Sequence, residues 1–221
     1  MSKGVSISRV RIVIFAKAPL PGLAKTRLIP ALGEQGTAAL ARRMLLHTVE
    51  QALAASAGPV ELCATPSPNA AVWESLPIPP GVQWSEQGEG DLGMRMARAA
   101  QRVTAAGQAV LLIGSDCPSL DAAQLRRAAA ALQHFDATLV PTADGGYVLL
   151  GLNRFDVSLF EGVVWSTGGV AAATLERLER LGWKTQKYAT VHDIDEPADL
   201  KWVPPRWLES MEEGERQLNG I

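Results

Sequence analysis

The sequence predicts an α/β fold with a mostly parallel central sheet and helices on both faces, and three observations carry that prediction. Apolar, β-branched runs alternate with helical patterns along most of the chain. Two of those runs, Ile12 to Phe15 and Val110 to Ile113, are apolar at every position, as strands covered on both faces must be. A length of 221 residues, 47% hydrophobic and 20% charged, suits one cooperative core, so residues 1–221 are read as a single domain.

The elements follow in order. Strands are expected at Val10 to Ala16, Val60 to Ala64, Val82 to Ser85, Ala109 to Ile113, Ala137 to Pro141 and Tyr147 to Leu152, with a late one near Thr185 to Val191. In the third, Val82 and Trp84 alternate with Gln83 and Ser85, which places it near a sheet edge with one wet face. Helical spacing links Leu40, Met44, Val49 and Leu53, then Leu125, Ala129 and Leu132, then Val170, Thr174, Leu178 and Leu181. Ser119 and Thr167 precede the last two and are their expected N-caps. Pro77 to Pro80 and Pro204-Pro205 read as loops, and Trp207, Leu208, Met211 and Leu218 among charges predict a C-terminal helical tail over about 205–221. The tryptophans are read as packing residues.

Composition excludes several function classes. Lys plus Arg number 21 against 23 Asp plus Glu, a net charge of −2, and no basic run is present to neutralise a nucleic acid backbone. Cys63 and Cys117 make neither a disulfide framework nor a C-x-x-C pair, which points to a reducing compartment, the cytoplasm. The apolar run Ile12 to Ala16 is too short to span a bilayer, so no integral membrane segment is expected there.

Chemistry is sought beyond the carboxyl ends of the strands, where open α/β sheets bind ligands. The loop Lys17-Ala18-Pro19-Leu20-Pro21-Gly22-Leu23-Ala24-Lys25-Thr26-Arg27 carries three cations and no anion, which suits a diphosphate. It is not a P-loop, because Ala24 and Pro19 stand where that pattern needs glycines. Asp116, in Gly114-Ser115-Asp116-Cys117-Pro118, ends a buried strand and needs a cation or donors. Asp193 and Asp195 are two residues apart and face one side if extended; with Asp116, either would supply the carboxylates that Mg²⁺ prefers, Asp193 being the better ligand. Asp195 is also a candidate cap for a helix at Pro197, and His192, on the opposite face, is read as packed. Asp144-Gly145-Gly146-Tyr147 joins two strands as a hairpin turn; if it overhangs the ligand, Asp144 is the general base. Cys117 is read as a buried small residue. Gly88-Glu89-Gly90-Asp91-Leu92-Gly93 matches a dinucleotide fingerprint in letters, but the half-polar strand before it and its two acids oppose that use.

Taken together, Phe15-Ala16-Lys17-Ala18-Pro19 to Arg27-Leu28, Gln87 with Gly90 to Gly93 and Arg95-Met96, Gly114 to Pro118, Asp144 to Tyr147, and Asp193-Ile194-Asp195 with Pro197 and Asp199-Leu200 resemble the bacterial DUF2064 family. That family consists of glycosyltransferases with the GT-A, or nucleotide-diphospho-sugar transferase, fold, and the resemblance covers about residues 8–203. It implies a metal-dependent transferase that uses a nucleotide sugar and a small or lipid-linked acceptor. It further implies nucleotide or diphosphate contacts at Ala16, Lys17, Lys25, Arg27, Gln87 and Asp91, an Mg²⁺ or Mn²⁺ ion on Asp116 and Asp193, and catalysis by Asp144 and Asp116. The acceptor side falls on Gly145, Gly146 and Tyr147. The Asp-x-Asp pair common in GT-A enzymes is reduced here to Gly114-Ser115-Asp116, which places more demand on Asp193. The alternative is nucleotidyl transfer from an NTP, as in the molybdenum-cofactor and phospholactate guanylyltransferases of the same superfamily. A nucleotide-binding module without turnover is a third reading.

Overall fold

A computed structural model describes residues 10–165 and 167–209. Along the chain run β1 (Val10–Lys17), α1 (Ile29–Ala55), β2 (Val60–Thr65), β3 (Gln83–Glu86), α2 (Leu92–Ala105), β4 (Ala109–Ile113), α3 (Ala122–Ala131), β5 (Ala137–Pro141), β6 (Tyr147–Leu152), α4 (Val170–Arg180) and β7 (Thr185–Lys187). The strands form one sheet in the order β3-β2-β1-β4-β6-β5-β7. All pairs are parallel except those of β6, which the two-glycine turn after β5 sends back antiparallel to β5 and β4.

Burial follows the patterns that predicted the strands. Every residue of β4 and β5 is buried, and β2 is buried up to Thr65. One face of the sheet packs on α1 and α3 through Leu45, Val49, Leu125 and Ala128, and the other on α2 and α4 through Met96, Val103 and Leu178. β3 is the edge strand its half-polar alternation predicts. Trp84, which the alternation places on the apolar side with Val82, is nonetheless partly exposed and meets Trp73 edge to face at 5.4 Å.

Four expectations are corrected. The late strand ends at Lys187; Val191 then makes only an isolated parallel bridge to Thr142. Ser119 does not cap α3: Asp121 does, accepting from Gln124 N–H while Gln124 reaches back to its backbone. α4 is preceded by Gly169 rather than capped by Thr167, whose hydroxyl donates instead to Val164 O at 2.7 Å. Asp195 does not cap the 3-10 segment Pro197–Trp202; Glu196 takes that position, which leaves Asp195 for the site.

Residues 205–209 are helical, and Trp207 is buried with Leu28, Leu40, Met44, Ile194 and Val203. This third cluster anchors both the basic loop and the Asp193 segment. Met211 and Leu218 lie outside the described residues. Among the described residues no helix is long and apolar enough to cross a membrane.

Candidate functional site

Because β1, β2, β4 and β5 run parallel, their carboxyl ends open on one edge of the sheet, and there lies a cleft of about 670 Å³. Lys17 reaches it from the end of β1, Lys25 and Arg27 from the loop that follows, and Asp116 from beyond the end of β4. Asp144, Gly146 and Tyr147 come from the hairpin, Asp193 and Asp195 from the C-terminal segment. The last segment is delivered by one buried residue: Ile194 is fully buried and its N–H donates to Asp116 O at 2.9 Å, so the two acids flanking it turn outward. His192, facing away as expected, stacks on Trp202 at 3.9 Å.

Lys25, Arg27, Asp116 and Asp195 are already engaged with one another. Lys25 sits in the left-handed region (φ 49°, ψ 44°), and its Nζ donates to Asp116 Oδ2 at 2.8 Å and to Asp195 Oδ1 at 3.4 Å. Burial pulls the Lys25 pKa down, but the two carboxylates outweigh it and hold the ammonium above its usual range. Arg27 donates to Asp195 Oδ2. Among the described residues no ion pair engages Asp193: burial, then the charges of Asp116 and Asp144, push its carboxyl up to about 6 against the weaker pull of Lys25. Asp144 Oδ1 accepts from the Thr142 hydroxyl at 2.6 Å and from Gly146 N–H at 2.9 Å, which fixes the carboxylate over the cleft.

Three predicted residues stand apart from the lining. Ala16 is buried in β1, offering its carbonyl to Gln87 Nε2 at 3.0 Å. Asp91 is the N-cap of α2, accepting from Met94 N–H at 2.8 Å, so its carboxylate serves the helix. Gly145 holds the hairpin at φ +90°, its α-carbon pressed against Gly168. Gln87 does line the cleft, but its amide is spent inward: it donates to Ala16 O and Cys63 O, both at 3.0 Å, bracing β1 against β2.

Among the lining residues to which sequence reasoning gave no site role are Arg95 and Trp165. Arg95 lies one turn into α2, donating to Gly90 O at 2.8 Å and Gln87 Oε1 at 3.2 Å. Its place just after the glycine-rich loop was the available signal. Trp165, read as packing, lines the cleft against Gly93, in a segment with no periodicity to reveal it. Cys117 is buried as expected, its Sγ 3.3 Å from His192 O and burial pushing its thiol up.

Among the described residues no three His, Cys, Asp or Glu side chains form a ready metal cage. The carboxylates a divalent cation would meet are those of Asp116 and Asp193, whose mutual repulsion such an ion would relieve. This fits Mg²⁺ or Mn²⁺, which need one or two carboxylates and take remaining oxygens from water and phosphate.

The fold has counterparts in solved structures. A crystal structure named "putative nucleotide-diphospho-sugar transferase", from Desulfovibrio desulfuricans G20, superimposes with a TM-score of 0.83 at 29% identity, covering 90% of this chain and 87% of that one. A nucleotidyl transferase from Methanothermobacter gives 0.61 at 18% identity, over 91% and 99%. A 4-diphosphocytidyl-2C-methyl-D-erythritol synthase from Anaerococcus prevotii DSM 20548 gives 0.55 at 11% identity, over 92% and 99%. The last two establish likeness of fold alone: the fold is that of nucleotide-diphospho-sugar transferases. No curated protein matches the chain in sequence. The sequence profile of DUF2064, described as an uncharacterized protein conserved in bacteria, matches residues 48–167, more than half of the chain and the stretch that holds Gln87, Asp116 and Asp144, and the chain belongs to that family.

Proposed function

We propose that the protein is a divalent-metal-dependent glycosyltransferase that takes a sugar from a nucleoside diphosphate sugar and places it on an acceptor hydroxyl. The observation that carries this reading is the convergence of Lys17, Lys25 and Arg27 with Asp116 and Asp193 on one cleft at the carboxyl edge of the sheet. Cations and carboxylates gathered in this way suit a diphosphate that arrives with its metal. Asp116 and Asp193 would hold the ion, which supplies charge neutralisation for the diphosphate. Lys25 and Arg27 donate to the diphosphate oxygens as charge builds on them, an electrostatic contribution that often dominates in such sites.

In the transfer, the acceptor oxygen bonds to the anomeric carbon. The bond from that carbon to the diphosphate oxygen breaks, and its electron pair leaves with the nucleoside diphosphate. The acceptor's proton passes to Asp144, whose Oδ1 is pinned by Thr142 and Gly146.

A second reading, nucleotidyl transfer from an NTP, is favoured by the single acid at the end of β4, where Gly114 and Ser115 replace a second carboxylate. In that reaction an acceptor phosphate oxygen attacks the α-phosphorus and pyrophosphate leaves.

Thermal shift with NTPs and sugar nucleotides, each with and without Mg²⁺ or Mn²⁺, separates the two. A ligand at a hundred times its Kd adds about 2.7 kcal/mol. Stabilisation by a sugar nucleotide with metal, and release of nucleoside diphosphate, are expected; pyrophosphate release establishes the second reading. Asp116→Asn should abolish turnover while keeping the fold, and an active variant overturns both.

A further inference from the structure

We infer that the cleft holds a second phosphate subsite, apart from Lys25 and Arg27, in which Lys17, Thr65 and Arg95 receive a phosphoryl group. The inference deepens the transferase reading above and rests on it for the identity of the cleft. Four cations line the cleft, Lys17, Lys25, Arg27 and Arg95, and acids balance them unevenly. Lys25 and Arg27 are paired with Asp116 and Asp195. Among the described residues neither Lys17 nor Arg95 forms an ion pair. The acids before α2 are placed elsewhere: Glu86 accepts from the Ser67 hydroxyl, Asp91 caps the helix through Met94 N–H, and Glu89 is exposed outside the lining. Two positive charges therefore stand uncompensated on one side of the cleft, a field that draws an anion.

Strand register brings these groups together. Lys17 and Thr65 are partners across the carboxyl ends of β1 and β2. Side-chain alternation puts them on the face that carries Val13, Phe15 and Cys63, the face α2 covers, and Arg95 reaches the cleft from the start of that helix. Gln87 ties the two layers: its Nε2 donates to Ala16 O, next to Lys17, and to Cys63 O, while its Oε1 accepts from Arg95 Nη1 at 3.2 Å. Arg95 Nε donates to Gly90 O at 2.8 Å. Both acceptors are neutral, so the guanidinium is held in one orientation with its charge unspent, and among the described residues its Nη2 meets no protein acceptor. A fixed guanidinium, an ammonium and a hydroxyl on one shelf are the donors a phosphate takes, whereas an uncharged ligand group would leave both positive charges unbalanced.

Isothermal titration of the full chain with inorganic phosphate, in EDTA and at low ionic strength, tests this. Phosphate should bind without metal and weaken as salt is raised. Lys17→Gln, a change at an exposed strand end, should fold normally and weaken phosphate about tenfold, the loss of one charge-assisted hydrogen bond. Arg95→Gln should weaken it at least as much, and Lys25→Gln should leave it close to wild type. No phosphate binding in the wild type, unchanged binding in both Lys17→Gln and Arg95→Gln, or loss of binding in Lys25→Gln with Lys17→Gln unaffected overturns the inference. Displacement of phosphate by uridine or guanosine also overturns it and makes the shelf a base subsite. The source of the phosphate is read by adding, with Mn²⁺, the sugar nucleotide that stabilises the protein most. Competition with inorganic phosphate, and pyrophosphate affinity that falls in both Lys17→Gln and Lys25→Gln, assigns the shelf to the donor; simultaneous binding assigns it to a phosphorylated acceptor. Phosphate on the shelf with no response to any sugar nucleotide or NTP keeps the subsite and removes the transferase, whereas nucleotide binding with no effect of Lys17→Gln on phosphate removes the subsite alone.

Discussion

At Lys25 the backbone enters the left-handed region, uncommon for a side chain other than glycine, asparagine or aspartate, and the ammonium it presents joins Asp116 to Asp195. Such local strain is tolerated where the surroundings fix it, and it clusters at functional sites. The ammonium occupies the coordination space of Asp116 Oδ2, so it competes with a metal ion for that oxygen and is the natural donor to a diphosphate once released. Lys25→Met should therefore act in opposite directions on two ligands. Mn²⁺ alone should bind more tightly in the variant, whereas the sugar nucleotide with metal should bind about tenfold more weakly, one charge-assisted hydrogen bond being lost. Isothermal titration of each ligand reads both effects, and loss of affinity for Mn²⁺ alone would show that Lys25 supports the ion rather than competing with it. The sequence disclosed the cations and acids, because like charges crowded after a buried strand need an explanation. It did not disclose their pairing. That Arg27 would take Asp195 rather than Asp193 depends on Ile194 filling a pocket among Leu28, Leu40 and Trp207, a contact between segments far apart in the chain.

Among the elements, the β5–β6 hairpin carries most of the functional geometry. Asp-Gly predicted its turn, and the turn is present, but its position over the cleft follows from β6 lying antiparallel between β4 and β5, which no local pattern encodes. Gly145 also holds the segment that leads into α4: its carbonyl accepts from Ala171 N–H at 2.9 Å, and an added Cβ would lie 2.0 Å from Gly168 O. With φ at +90° as well, Gly145→Ala should cost about 2 kcal/mol or more and loosen Asp144 and Trp165 together. Urea unfolding measures the first effect and the fall in turnover the second; full turnover at reduced stability would separate the turn from catalysis. Strands were the most legible elements, because burial on both faces writes continuous apolar runs into β1, over Ile12 to Ala16, and into β4. Helix starts were less so: Ser119 and Thr167 are good capping types, yet the caps are set by where the chain leaves the sheet, and Asp121 and Gly169 are the residues that arrive there.

Across the whole molecule, two carboxylates near opposite ends of the sheet titrate in opposite senses. Glu61, 2% exposed near the start of β2, is raised by burial, but hydrogen bonds from Arg102 and Ser85 and the charges of Arg102 and Arg11 outweigh that and hold it below its ordinary 4.5. Its contribution is present above that ordinary value and is lost as pH falls through the depressed folded value. Asp193 behaves inversely: with a folded value of about 6 against an ordinary 3.8, it favours the fold while protonated and opposes it progressively as pH rises through that interval. At neutral pH the ligand-free protein thus carries an ionised Asp193 beside Asp116 and Asp144, repulsion that a bound cation would relieve. Asp193→Asn should raise the melting midpoint at neutral pH by about 2–4 °C, roughly 1 kcal/mol once solvent screening of a half-buried group is allowed for. Little change is expected near about pH 4, where the wild-type carboxyl is already neutral. In the wild type, protons and metal compete for the same oxygens, so stabilisation by Mn²⁺ should grow from about pH 5 to about pH 7.5 and be absent in Asp193→Asn. Equal Mn²⁺ stabilisation at both pH values, or its survival in the variant, would remove Asp193 from the metal site and leave Asp116 without its second carboxylate.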